Sequence, residues 1–191
     1  MRIYLIRHAQ TQGNLKHRYI GRTDEPLCEI GLDTARGITP PQVDIIFRSP
    51  MLRCKQTADI LYPDKQKIVV DDLRECDFGD FEGKTADELV CDTHYLNWVN
   101  GGCKEIIPNG ESVDGFKNRC CEAFQKIATE HKDDKNSICF VVHGGIIMAI
   151  LERFDIRKKN FYDYFIENCG IIECYAEFDG GLKLRISGGV S

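Results

Sequence analysis

A three-layer α/β/α sandwich with a mostly parallel sheet, an antiparallel edge strand and a helical capping insertion is the fold this sequence predicts. Three observations predict it. Short apolar runs rich in branched residues alternate with amphipathic stretches of helical period along most of the chain. The last two runs, 170–178 and 182–187, are joined by Asp179-Gly180-Gly181, a turn signal that makes them an antiparallel hairpin. Between 84 and 133 two helical stretches follow one another with no strand between them, so that segment reads as an insertion that caps a site.

The elements follow in order. "RIYLIR" (2–7) is a buried strand by pattern, and "GLDTARG" (31–37) is a short helix. "VDIIFRS" (43–49) is the second strand. Pro50 at a first helical position and Pro63 just past the end bracket a helix over 51–62. "KIVVDD" (67–72) is a third strand. Apolar residues at 86, 89, 90, 96, 98 and 99 make 85–99 an amphipathic helix, and 112–132 is another. "SICFVVHGG" (137–145) is a strongly buried strand, followed by a helix over 146–154 and then the hairpin. No repeat, linker or low-complexity segment interrupts this series, so residues 1–191 are read as one domain.

Composition narrows the function. Of 191 residues 42% are hydrophobic and 29% charged, the balance of an ordinary soluble globular chain. A net charge of −5 argues against nucleic acid or an anionic membrane as the partner. No apolar run approaches the ~20 residues of a membrane span. The N-terminal apolar stretch, Ile3 to Ile6, is cut short by Arg7 and His8 and is no secretory signal, which places the protein in the cytoplasm. The ten cysteines are scattered singly except for Cys120-Cys121, with no C-x-x-C, and are read as reduced thiols, Cys139 and Cys174 serving as small hydrophobes. The five histidines, at 8, 17, 94, 131 and 143, show no metal-ligand spacing.

The chemistry gathers at strand ends. Ligands of open α/β sheets bind beyond the carboxyl ends of the strands. The first strand ends in Arg7-His8, and the run from Cys139 ends in His143-Gly144-Gly145. If these two strands are parallel neighbours, two imidazoles meet at one edge. The second strand ends in Arg48, with Arg53 one helical turn further on, and arginines beside histidines describe a pocket for phosphate or carboxylate. "LRECDFGDFEGK" (73–84) brings four acids, Glu75, Asp77, Asp80 and Glu82. An acid beside bound phosphate has its pKa raised and can donate a proton. "GDFEGKT" (79–85) imitates a phosphate-binding loop, but Phe78 stands where its first glycine belongs and the acids at 80 and 82 would repel phosphate.

Taken in order, these stretches form a series: Arg7-His8-Ala9-Gln10-Thr11 with Asn14, "GRTDEPLCEIG" (21–31), "SPMLRCKQTA" (49–58), Leu73 to Glu75, Gly110-Glu111-Ser112, and His143-Gly144-Gly145. The series resembles the histidine phosphatase superfamily, also known as the phosphoglycerate mutase-like family. The family pattern has Gly and then an acid or Ser where this chain has Ala9 and Gln10. "FGDFEGK" (78–84) and the spacing from "YLNW" (95–98) to "PNGES" (108–112) resemble most the α-ribazole phosphatases of cobalamin assembly, although the former also occurs in broad-specificity sugar phosphatases.

The resemblance implies a phosphohistidine route to hydrolysis of a small-molecule phosphate monoester, with no cofactor and no metal. His8 would attack phosphorus. Arg7, Arg53 and His143 would hold the phosphoryl oxygens, with Asn14 and Gly144 assisting, and Glu75 would serve as acid and then base. Asn14 also reads as a turn residue, and Asp77 and Glu82 compete with Glu75 until the motif selects among them. Arg22 and Thr23 fall where the family contacts phosphate or substrate. Glu111 and Ser112 fit a helix start as well as a binding role. Trp98, Tyr95 and the loop 101–110 are placed to wall the leaving-group side, with Trp98 also fitting the core. A sugar phosphatase or mutase is the nearest alternative, and a non-catalytic phosphate-binding domain the next. No oligomeric state is read from the chain.

Overall fold

The computed structural model describes residues 1–103 and 106–187. Its centre is a six-stranded sheet in the order β3-β2-β4-β1-β5-β6. The strands are β1 (Arg2–Arg7), β2 (Ile45–Arg48), β3 (Lys67–Val69), β4 (Ile138–Val142), β5 (Ile171–Glu177) and β6 (Lys183–Ile186). β1, β2, β3 and β4 run parallel, while β5 is antiparallel to both β1 and β6. The sheet is therefore mixed, parallel through its centre and antiparallel toward one edge.

Alternation along the central strands builds two cores. Ile3 and Leu5 face the same side as Ile138, Phe140 and Val142. Tyr4 and Ile6 face the other side with Cys139 and Val141. The helices cover both sides. α3 (Leu52–Leu61) supplies Cys54, Ala58 and Leu61 to the second core, with α2 (Glu29–Gly37) packed outside it. α5 (Val113–Glu130) and α6 (Gly144–Phe154) supply the first, where Phe124 packs on both Phe140 and Phe154. Within the segment 84–133, α5 is thus a helix of the main layer, and the part that overhangs is α4 (Thr93–Asn100) with the loops beside it.

Several boundaries differ from the sequence reading for local reasons. A short α1 (Gln12–Leu15) follows Thr11, which caps it reciprocally with Asn14. Pro50 precedes the helix cap, Met51, so α3 starts two residues later than the proline suggested. The expected helix over 85–99 is a single 3₁₀ turn at Asp87–Leu89 and then α4, because the Asp92 carboxylate accepts from the His94 and Tyr95 amides and starts a new helix. β3 stops at Val69, where a 3₁₀ turn at Asp71–Leu73 begins. β4 stops at Val142, because His143 caps α6 and Gly144 is its first residue. All ten cysteines are free, Cys139 and Cys174 fully buried in strands. No helix among the described residues is long and apolar enough to cross a membrane.

Candidate active site

Parallel pairing sets Arg7 opposite Val142, and the next backbone hydrogen bond, His8 N–H to Val142 O at 2.9 Å, carries the ladder one step further. His8 and His143 therefore leave the sheet side by side. Their rings meet edge to face with centroids 5.1 Å apart. Both are buried, at 4% and 1% exposure, as is Arg53 at 1%.

The tautomers follow from the partners. His8 Nδ1 lies 2.7 Å from Ala9 O, which can only accept, so the proton sits on Nδ1 and Nε2 keeps its lone pair. Arg53 Nε donates to His143 Nδ1 at 3.2 Å, so His143 carries its proton on Nε2 and donates it to Ser49 Oγ at 2.8 Å. Burial, and then the nearby Arg53, hold both imidazoles well below the usual histidine range. Both rings are neutral at pH 7.

A cavity of about 170 Å³ lies beside this pair, lined among others by Arg7, His8, Asn14, Glu75, Gly144 and Gly145. Arg7 Nη1 donates to Ile166 O at 2.7 Å and its guanidinium lies over the Phe165 ring, while Nε is buried with no partner among the described residues. Burial lowers its pKa. A buried cation with an unused N–H beside a neutral histidine is suited to an anion. Asn14 Oδ1 is taken by the Thr11 amide and Asn168 Nδ2, which leaves its own amide N–H groups for a ligand.

Glu75 closes the cavity on the far side. Its carboxylate accepts from Cys76 N and Gly145 N, both at 3.0 Å. Burial outweighs these bonds and the two arginines and pushes its pKa up. A Cβ at position 145 would stand 2.5 Å from Glu75 Oε1, so a larger residue there would push the carboxylate from its place. The competing acids are spent elsewhere. Asp77 pairs with Arg22 Nε at 3.3 Å and caps Gly79 N. Glu82 accepts from Gly21 N, Arg22 N and the Thr23 hydroxyl at 3.0, 2.7 and 2.7 Å.

Three expectations change. Arg53 and His143 stand behind His8 instead of lining the cavity, because Arg53 spends its guanidinium on Thr23 O, Gly21 O and His143 Nδ1. Arg22 and Thr23 do not line it either; Glu82 holds their amides, and Ile20 takes the place beside the cavity. Arg48 turns back to its neighbour's carbonyl, and the next residue, Ser49, reaches the site. Glu111 and Ser112 are structural, Glu111 accepting two hydrogen bonds from the Arg119 guanidinium and Ser112 capping α5. Sequence reasoning also passed over Tyr19, Arg18 and Phe165, which line the cavity from loops that carry no periodic pattern.

A larger chamber of about 870 Å³ adjoins through Tyr19, Glu75, Phe78, Gly145 and Met148. Tyr95 and Trp98 of α4 wall it, as expected, together with Gly102 and Cys103 of the loop 101–110. Lys104 and Glu105 of that loop lie outside the described residues. Trp98 is also core, packed on Phe81 and Tyr95. Among the described residues no group of three histidines, cysteines or acids is arranged to hold a metal ion.

The chain is similar to known phosphatases in sequence and fold. Residues 3–185 match the profile of the histidine phosphatase superfamily (branch 1). A Hydrogenobacter thermophilus protein named as a candidate phosphoserine phosphatase 2 is 32% identical over 188 residues, covering 92% of this chain and 90% of its own. The adenosylcobalamin/alpha-ribazole phosphatase of Escherichia coli K12 is 30% identical over 161 residues, covering 80% and 78%. The crystal structure of the alpha-ribazole phosphatase from Shigella flexneri superposes with a TM-score of 0.83 over 100% of this chain and 98% of that one, at 22% identity. With the site at the carboxyl edge of a matching sheet, the chain is a phosphatase that belongs to the histidine phosphatase superfamily.

Proposed function

We propose that the chain hydrolyses phosphate monoesters through a phosphohistidine on His8, without a metal ion. One observation carries this reading: the Nδ1 proton of His8 is committed to Ala9 O and burial keeps the ring neutral, so Nε2 is a free nucleophile beside the Arg7 guanidinium. Nε2 attacks phosphorus in line as the ester P–O bond breaks. Glu75, whose pKa burial raises, gives a proton to the leaving oxygen. The Glu75 carboxylate then takes a proton from the water that attacks the P–N bond, which releases phosphate and restores His8. Arg7, Asn14 and the Gly144 end of α6 hold the phosphoryl oxygens. Arg53 and His143 act from behind, through the field they impose on His8 and on the phosphoryl group. The free thiols support a cytoplasmic setting.

The alcohol is a bulky one such as α-ribazole. The adjoining chamber is about 870 Å³ and mostly apolar, with Phe78, Tyr95, Trp98 and Phe116 in its wall, and the lysine lining it, Lys117, is paired with Glu152 at 2.5 Å. A carboxylate such as that of phosphoserine finds no free cation there among the described residues. The Hydrogenobacter relative's name favours phosphoserine as a second reading. The test is hydrolysis of an aryl phosphate in EDTA by wild type and His8→Ala, followed by α-ribazole 5′-phosphate against phosphoserine. Activity that survives EDTA and vanishes in His8→Ala is expected, with α-ribazole phosphate preferred. Activity retained in His8→Ala overturns the mechanism, and a preference for phosphoserine overturns the choice of alcohol.

A further inference from the structure

Tyr19 stands where three cavities meet. The cavity of about 170 Å³ beside His8 adjoins the aromatic chamber of about 870 Å³ on one side and a second chamber of about 420 Å³ on the other. Among the described residues Tyr19 alone lines all three. The aromatic chamber reaches the phosphoryl side past Glu75 and Phe78, and the second chamber reaches it past Arg7 and Phe165. The two chambers differ in chemistry. Phe78, Tyr95, Trp98 and Phe116 wall the first, whereas Gln10, His17, Arg18, Glu167 and Asn168 wall the second.

The ring of Tyr19 is fixed at both ends. Its backbone is pinned by Tyr19 N–H to Lys84 O at 2.9 Å and Gly83 N–H to Tyr19 O at 2.8 Å. Its hydroxyl lies 2.8 Å from the Tyr95 hydroxyl on α4, and its ring packs on Phe78 with centroids 5.2 Å apart. Burial raises the Tyr19 pKa further above the usual phenol range, so the phenol is protonated and the contact is a neutral hydrogen bond. This hydrogen bond ties the loop beside His8 to α4.

We propose that Tyr19, latched by Tyr95, is the partition that sets leaving-group specificity: it steers the alcohol into the aromatic chamber and shuts the polar chamber to it. The preferred alcohol is then uncharged and aromatic, and it stacks against the ring that divides the two rooms. The proposal rests on the reading of the cavity beside His8 as the phosphoryl site. Tyr19 touches the leaving group in this scheme, and Tyr95 is a positioning residue that acts through it.

The test compares kcat/KM for 1-naphthyl phosphate and for phosphoserine in wild type, Tyr19→Phe, Tyr95→Phe and the double variant. Wild type favours the naphthyl ester. Each single variant loses one hydroxyl of the same bond and lowers the ratio about fivefold, the value of one net hydrogen bond. The double variant matches the singles, because the bond is lost only once. Tyr19→Ala joins the chambers and lowers the ratio further by raising kcat/KM for phosphoserine. If Tyr19→Ala fails to fold, the two Phe variants carry the test. Ratios within about twofold of wild type in both single variants, or losses that multiply in the double, overturn the partition. Hydrolysis of neither ester by wild type instead overturns the phosphoryl-site reading, and the partition with it.

Discussion

His8 and His143 lie edge to face, 68° between their planes, because each directly follows one of two register partners in parallel strands. Arg7 and Val142 end their strands at the same height, so the next residue of each chain emerges at the carboxyl edge of the sheet. The pair is possible only because both rings are neutral. Two imidazolium groups at 5.1 Å, beside Arg53, would repel strongly in so buried a place.

His143 is expected to matter through its neighbours. It backs the His8 ring and takes a hydrogen bond from Arg53. His143→Ala removes that wall and lets both residues move. A displacement of the order of an ångström at a reacting group costs about 100-fold. We expect kcat for an aryl phosphate to fall by about that factor or more, with a smaller change in KM. A steady-state measurement showing kcat within threefold of wild type would contradict this placement.

Glu75 should reveal itself through the leaving group. A general acid matters most where the departing oxygen is a poor leaving group, and contributes ~10²–10⁴-fold there. Glu75→Gln is expected to cost this much on an alkyl phosphate and far less on p-nitrophenyl phosphate, whose phenolate leaves unaided. Because burial raises the Glu75 pKa, the protonated form persists to higher pH than in an ordinary glutamate. The wild-type kcat/KM for the alkyl ester should therefore fall as pH rises through that raised value, and this limb should be missing in Glu75→Gln. Equal losses on the two esters would assign the proton to another group.

The same ionisations predict how stability depends on pH. His8 and His143 have folded pKa values well below 6.5, so between those values and about 6.5 the unfolded chain binds protons that the folded chain refuses. Their contribution is whole above about pH 6.5 and is lost as the pH falls below it. Glu75 opposes them, since its raised value favours the folded state on acidification. We expect the two histidines, each held well below its usual range, to outweigh the one carboxyl. Thermal scans should show Tm falling between pH 6.5 and 5, and falling less in His8→Asn with His143→Asn. A Tm that is flat or rises over that window would rule out neutral, buried imidazoles.

The residues that the structure brings together as the sequence reading expected are those tied to strand ends. A run such as Cys139 to Val142 announces a strand, and the rule that ligands sit beyond carboxyl ends then selects His8 and His143. The same rule applied to β2 selected Arg48 and missed Ser49, because side chains alternate and a one-residue error in the end of a strand exchanges the faces. Arg53 was recognised as a site residue, but its depth was not. Its guanidinium is consumed by loop carbonyls at Gly21 and Thr23, and no spacing shows that a loop will fold over an arginine. Phe165 and Ile166, which hold Arg7, come from a stretch with neither period nor motif. Among the acids of one loop only the motif singled out Glu75, and burial and partners now separate it from Asp77 and Glu82 on physical grounds.

Glu82 supplies the last prediction. Its carboxylate gathers the amides of Gly21, Arg22 and Thr23, the Thr23 hydroxyl and the Phe78 amide. The carbonyls of that same loop, at Gly21 and Thr23, hold the Arg53 guanidinium, each at 2.9 Å. Glu82 therefore sets the position of Arg53 without touching the cavity. Glu82→Ala leaves the loop amides without their acceptor and should cost about 2 kcal/mol of stability, the scale of one hydrogen bond to a charged group, because water can reach and replace the bonds to Arg22 and Thr23. It should also weaken every phosphate ester alike, because in the proposed mechanism Arg53 acts on the phosphoryl group and not on the alcohol. The expected result is a loss in kcat/KM of roughly tenfold that is the same for 1-naphthyl phosphate and phosphoserine, with Glu82→Gln partly restoring both stability and rate. A loss confined to one ester would place Glu82 on the alcohol side, and an unchanged Tm in Glu82→Ala would mean that the loop holds Arg53 without it.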